Sequence, residues 1–339
     1  MDVFWVTTER VLSAIPLFAI IFVLTFAAKW IFQRTSRFCI DEELTERDNP
    51  AFGIAFGGYM VGIAIALSGT VLPWESVPTG GDLLIVAMFG VVAALLMRAS
   101  LWVNHRAILY QFPLYKELIV DHNLGTGFVV AGSSIATGFM LRGVMAGYSH
   151  SVLLGLRDTV IYFAVGQVAL VIGAWIYAKT AGYDIHGEIE RRNVGAGVSF
   201  GGYLAALGYI VSTALTGATS NWMDEIITSA VIAFVGMLLL VIAHMVADYV
   251  LLPKAALWKE IVEDRNVAAG VIAAASFMIV AILFAGAVDP NRLALSAVGN
   301  ETGLMSGEAV LPEPHDTETG SDAPAAQSDG ASKKREAGQ

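Results

Sequence analysis

An all-α integral membrane protein, with about eight transmembrane helices built as four helix–linker–helix repeats, is the fold class this sequence predicts. Three observations predict it. The 339-residue chain is 56% hydrophobic and only 15% charged, whereas a soluble domain carries nearer about 25% charge. Uncharged runs of close to about 20 residues recur, the length a helix rising 1.5 Å per residue needs to cross about 30 Å of hydrocarbon. An asparagine behind a charged linker returns four times at near-constant spacing.

In chain order the runs are Val11–Ala28, Ala51–Trp74, Leu83–Met97 (extended past Arg98 to Val103), Asn123–Leu141, Thr159–Ala178, Asn193–Met223, Ile226–Ala243 (running on towards Leu252) and Asn266–Val288. The sixth exceeds one span and is read as including a loop. A soluble amphipathic helix would show a polar face at a period of 3.6; these runs are apolar all round, so lipid or protein must surround them. The first run is read as a retained helix and not a signal peptide, because Met1–Arg10 contains Asp2 and Glu9 and a single basic residue.

Asn49, Asn123, Asn193 and Asn266 lie 74, 70 and 73 residues apart. Each opens an even-numbered span and follows a linker containing a glutamate: Glu43, Glu117 and Glu260 stand six residues before it, Glu188 five. A helix start leaves four backbone N–H groups without partners, and in a membrane those donors are costly to strand. An N-cap Asn accepts one of them, and Pro50 suits the first helical position after Asn49. The linkers mix charges with Leu, Ile and Val, as short interfacial pieces do. Phe56-Gly57-Gly58-Tyr59 and Phe200-Gly201-Gly202-Tyr203 stand at the same offset from their asparagines, so the four units pair into two halves. Each half has an even number of helices, which makes the repeat parallel. The expected domains are a four-helix domain over 10–145, a second over 155–288 and a disordered tail over 290–339, whose Gly-, Ala-, Ser-, Asp- and Pro-rich composition lacks long apolar stretches.

Lysine and arginine accumulate on the cytoplasmic side of a membrane. Thirteen lie between odd and even spans and four on the opposite side, to which the tail adds Lys333, Lys334 and Arg335. That asymmetry predicts cytoplasmic linkers and both termini outside.

The Asn-x-Ala/Gly opening after a charged linker, the small-residue-rich helix and the Gly-Gly-Tyr step together resemble a bacterial inner-membrane family, domain of unknown function 350. One such domain is about four helices with the asparagine motif twice, so the chain resembles two domains in tandem. The resemblance implies a bacterial plasma-membrane protein. It brings no established activity, and through the genomic company of its relatives it adds only a polyamine or cation as a substrate guess.

Small residues recur four apart in the even spans, as at Gly53/Gly57, Gly58/Gly62 and Gly197/Gly201. Close helix packing is the first reading; an exposed-backbone pore is the second. Gly57, Gly58, Tyr59, Gly201, Gly202 and Tyr203 are therefore read as packing residues. Ionisable residues in spans mark functional sites by default, and here they are Arg98 and His105 in the third span and His244 and Asp248 in the seventh. His105 and Asp248 occupy equivalent positions 18 residues before their asparagines. All four lie in the inner third or at the boundary, where long side chains reach water. Interface anchoring and a proton- or cation-linked site both remain open for them. The convergent helix N-termini could hold an anion, a reading that the preceding glutamates oppose.

No phosphate loop, HExxH or GxSxG appears, so no enzyme and no cofactor is expected. His244 and Asp248 lack a third ligand, so no metal is expected. The single cysteine, Cys39, cannot form an internal disulfide, and no basic face suggests nucleic acid. Passage of a small solute or ion is the first functional expectation. A structural or partner-binding membrane subunit, in company with its own copies or another membrane protein, is the alternative.

Overall fold

The structure, a computed structural model, describes residues 2–70, 79–111, 113–147, 151–215, 222–247 and 256–288, without the side chains of 2–7, 9–11, 13–14, 222 and 224–225. Asp248 and the 290–339 tail lie outside the described residues. Eight described helices are long and apolar enough to cross a membrane: α1 (Asp2–Thr35), α2 (Pro50–Ser68), α3 (Gly80–Ala107), α4 (Leu124–Met145), α5 (Val152–Thr180), α7 (Val194–Ala214), α8 (Trp222–Val246) and α10 (Val267–Val288). Two short helices in the linkers, α6 (Ile185–Glu190) and α9 (Leu257–Val262), complete the set. The first two linkers hold π-helical turns instead, Glu42–Glu46 and Lys116–Val120. The expected interfacial pieces are thus short single turns.

The spans form two layers. An inner row runs α2, α4, α7, α10, each packed closely on the next, and an outer row runs α1, α3, α5, α8 in the same order. The close packing follows from side-chain size. In lipid no hydrophobic drive pulls helices together, so contact depends on how nearly backbones approach. A Cβ placed on Gly58 would collide with Ala131, one on Gly138 with the backbone of Gly62, one on Gly132 with the backbone of Gly201, and one on Gly270 with Gly195. Gly132 therefore sets how closely the two halves meet. Each interior helix of the row uses two small-residue faces. One face has the residues four and eight positions after the asparagine and meets the preceding helix: Gly127 and Ala131 on α4, Gly197 and Gly201 on α7, Gly270 and Ala274 on α10. The other face has those two and nine positions after it and meets the following helix: Ala51 and Gly58 on α2, Gly125 and Gly132 on α4, Gly195 and Gly202 on α7.

The asparagines act at the linker end of the inner row, and each does more than cap. The side-chain carbonyl of Asn49 accepts from Phe52 N (3.1 Å), that of Asn123 from Gly125 N (3.0 Å), that of Asn193 from Ala196 N (3.2 Å) and that of Asn266 from Ala268 N (3.0 Å). The Nδ2 group donates back to the linker glutamate in every copy: Glu43 (2.9 Å), Glu117 (2.7 Å), Glu188 (2.9 Å) and Glu260 (2.9 Å). It also reaches forward. Asn49 Nδ2 donates to Leu118 O (2.8 Å), Asn123 Nδ2 to Ile189 O (2.6 Å) and Asn193 Nδ2 to Ile261 O (2.7 Å), each a carbonyl in the next repeat's linker. Glu43, Glu117 and Glu188 are thereby buried acceptors, all at most 5% exposed, while Glu260 is half-buried. Arg47 pairs with Glu43 at 2.8 Å and Arg191 with Glu188 at 2.9 Å.

The residue before each asparagine takes a left-handed backbone. Asp48, His122, Arg192 and Arg265 have φ of 46°, 50°, 61° and 51°. For non-glycine residues this conformation is uncommon and costs free energy. It persists because both neighbours are tied: the asparagine N–H donates to the glutamate carbonyl in every copy, at 2.8 to 3.0 Å. The one-residue difference in spacing is absorbed in the same turn. Where the glutamate stands six back, the linker closes with an i→i−5 bond, as in Arg47 N to Glu42 O and Asp121 N to Lys116 O. Where it stands five back, Arg191 N bonds Gly187 O, an ordinary α-turn.

Odd spans start differently. Thr79 caps α3 in a reciprocal box with Asp82, and Ser151 caps α5.

Four stability outcomes follow, in two contrasting pairs. Gly132→Ala introduces strain on the order of 1–3 kcal/mol, only partly offset by about 1 kcal/mol of helix propensity, so thermal unfolding in detergent shifts down. Gly57→Ala meets no atom within 4 Å, and its melting temperature holds or rises. Asn123→Ala loses a cap worth about 1 kcal/mol and leaves the buried Glu117 carboxylate and the Ile189 carbonyl short of a donor, about 1–3 kcal/mol each. Asn266→Ala loses no forward bond among the described residues, so its melting temperature falls by less.

Candidate functional site

The structure places two of the sequence-predicted polar residues, Arg98 and His244, against two aromatic clusters that occupy equivalent places in the two halves. In the first half Phe32 of α1 packs on Phe56 and Tyr59 of α2, with ring centroids 5.3 and 5.0 Å apart. In the second half Tyr177 of α5 packs on Phe200 and Tyr203 of α7, at 5.4 and 4.5 Å. Each cluster receives one basic side chain from the neighbouring odd span. The Arg98 guanidinium of α3 lies 5.4 Å over the Phe32 ring. The His244 imidazole of α8 meets the Tyr177 edge at 5.8 Å and stacks on Phe277 of α10 at 5.9 Å.

The hydrogen bonds define what each basic group does. Arg98 Nε donates to Thr35 Oγ1 (2.6 Å) and Nη2 to Thr35 O (3.0 Å). Thr35 is the last residue of α1, so the guanidinium satisfies a carbonyl stranded at a helix C-terminus and sits where the helix dipole favours a cation. Tyr203 OH donates to Gly173 O (3.1 Å), and Tyr177 OH and Ser199 Oγ share a bond of 2.7 Å. Tyr59 OH is buried without a hydrogen-bond partner among the described residues. The glycines of the two Gly-Gly-Tyr steps have separate tasks. Gly58, Gly201 and Gly202 face neighbouring helices closely, whereas a Cβ at Gly57 would meet nothing.

Among the described residues Arg98 faces α1, whereas His244 faces α5 and α10. His105, two turns beyond Arg98, is half-buried with its Nδ1 lacking a partner among the described residues. Its positional equivalent, Asp248, falls outside the described residues, so the expected pairing of the two has no geometry to report.

Other polar groups were not singled out by the sequence pattern. Asn104 of α3 is buried, and neither side-chain polar atom has a partner among the described residues. Gln167 of α5 donates to Thr137 of α4 at 3.1 Å and leaves its Oε1 without one. Thr126 Oγ1 of α4 is a fourth such atom. Only their apolar surroundings in the sequence could have flagged them, since an amide inside a span is costly without a partner. At the linker end a cavity of about 520 Å³ opens between the ends of α3 and α5 and α6, lined by Arg106, Tyr110, Trp175, Lys179, Asp184 and His186 among others. Its walls are braced by His186 Nε2 against Ile108 O (2.7 Å) and by Trp175 Nε1 donating to Ala107 O (3.0 Å). Nearby, burial pushes the Tyr183 phenol well above the usual tyrosine range. No group of three or more His, Cys, Asp or Glu side chains suited to a metal occurs among the described residues.

The chain is similar to a UPF0719 transmembrane protein of Aquifex aeolicus (strain VF5), with 23% identity over 246 residues that cover 70% of this chain and 86% of that relative. No solved structure matches it. Residues 6–145 and 151–288 each match the family described as Domain of Unknown Function (DUF350). Those two matches take in both four-helix halves, and the chain is a member of that membrane-protein family in two tandem copies.

Proposed function

We propose that this multi-pass protein is a non-catalytic subunit of the bacterial plasma membrane, with its linkers in the cytoplasm and both termini outside, that works by packing against other membrane helices. One observation carries the reading. The inner-row helices meet backbone to backbone through glycine faces, so the centre of the bundle is filled by contact. The Arg98 guanidinium is likewise engaged in closing the end of α1. The excess of lysine and arginine between odd and even spans, thirteen against four outside the tail and three in it, supports the orientation.

A second reading, passage of a small solute or ion such as a polyamine or a cation, is favoured by buried atoms of Asn104, Gln167 and Thr126, on the adjoining helices α3, α5 and α4, that have no partner among the described residues. Buried polar groups are normally hydrogen-bonded, so water or a solute between these helices would satisfy them.

Flux into liposomes separates the two. Purified protein is reconstituted with labelled polyamines or monovalent cations, with and without an imposed pH gradient. Transport no faster than in empty vesicles is the expected outcome. A flux above that level which Asn104→Leu or Gln167→Leu abolishes would replace the first reading by the second.

A further inference from the structure

We infer that the partner on which this protein packs is a second copy of itself, joined head to tail so that α10 of one subunit lies against α2 of the next; this rests on the packing reading above. The argument is that the chain contains one interface three times over and exposes its two unmatched halves. In α4, α7 and α10 the small residues four and eight positions after the asparagine are pressed against the preceding helix. On α2 those positions are Gly53 and Gly57, and no described inner-row helix lies on that side of them. Gly57 is exposed, and an added Cβ there would meet nothing within 4 Å. At the other end, α2, α4 and α7 press the residues two and nine positions after the asparagine against the following helix. On α10 those positions are Ala268 and Ala275, both small and both exposed, and Gly286 further along is equally open.

The hydrogen bonding breaks off in the same two places. Asn49, Asn123 and Asn193 each donate forward to a carbonyl of the next repeat, whereas Asn266 gives its one Nδ2 bond among the described residues to Glu260. The carbonyl equivalent to Leu118 and Ile261 in the first linker is Leu44 O, to which no asparagine amide donates among the described residues. The spare donor and the unmatched acceptor therefore complete each other between copies. Every internal junction joins parallel repeats, so a junction between subunits built the same way keeps both copies in one membrane orientation. Such a contact is heterologous: it closes into a ring or continues as a row. By analogy with Gly127 on Ala51 and Ala131 on Gly58, Gly53 of one copy meets Ala268 of the other, and Gly57 meets Ala275.

The test uses the full chain in a Cys39→Ser background, oxidised in native membranes with copper phenanthroline before detergent is added. Gly57→Cys with Ala275→Cys in the same chain is expected to give a ladder of linked multimers. Either single variant alone gives none, and the two single variants co-expressed stop at dimers. In parallel, Gly57→Leu, which has space in the isolated subunit, is expected to keep its melting temperature and to lose the multimeric mass in native mass spectrometry from lipid nanodiscs. A dimer linked through Gly57→Cys alone would mean a face-to-face contact and overturn the head-to-tail arrangement while leaving the packing reading intact. Multimeric mass that survives Gly57→Leu with no ladder does the same. A single-subunit mass for the unmodified chain, with no ladder from the double variant, would overturn this inference and the packing reading together.

Discussion

Each even-numbered span begins at a lipid boundary with backbone N–H groups that its own helix cannot use, and one asparagine side chain meets that constraint. The amide has an acceptor and two donor hydrogens, and in the first three repeats all are engaged. The oxygen closes the helix start, one hydrogen holds the linker glutamate and the other holds the next repeat. The layered bundle depends on this, because it fixes where each inner helix begins relative to its neighbour. Only with that register set do the glycines of α2, α4, α7 and α10 fall opposite backbone and not opposite side chains.

The glycine contacts and the polar residues then divide the work by depth. Along the inner row, backbone approach leaves little room for side chains, so large groups are displaced to the seam with the outer row. There the aromatic rings gather: Phe32, Phe56 and Tyr59 on one side, Tyr177, Phe200 and Tyr203 on the other. A cation near an aromatic face is stabilised by the ring quadrupole, which gives Arg98 a site inside the apolar seam while its donors reach the end of α1. His244 occupies the corresponding seam in the second half with a different partner set. The two halves thus share a plan while differing in the group that each seam holds.

The spans, the four repeats and the capping asparagines were legible in the sequence because each has a local signature: apolar length, spacing and a residue type that helix starts require. The Gly-Gly-Tyr steps were legible as packing positions for the same reason, though not that Gly57 would stand apart from Gly58. The forward bond from Asn123 to Ile189 was not legible, since it joins positions 66 residues apart and a backbone carbonyl leaves no trace in sequence. The left-handed turn was hidden by composition, for Asp48, His122, Arg192 and Arg265 have no residue type in common. The glutamates were noticed by their spacing and charge, but not that Glu43, Glu117 and Glu188 are buried acceptors of the asparagine amides. Asn104 and Gln167 sat unremarked in apolar runs because a lone amide does not interrupt a hydropathy pattern.

The π-turn in the linker has a consequence for how such chains can change length. A residue added to or removed from a regular helix rotates everything beyond it by about 100°, which in α4 would swing its glycines away from both neighbours. In the linker the same event merely converts an i→i−5 closure into an i→i−4 one, and the glutamate still meets its asparagine, as the third repeat demonstrates against the first two. Single-residue insertions and deletions are thereby absorbed at four defined points along the chain, each a register-neutral joint between otherwise length-intolerant helices.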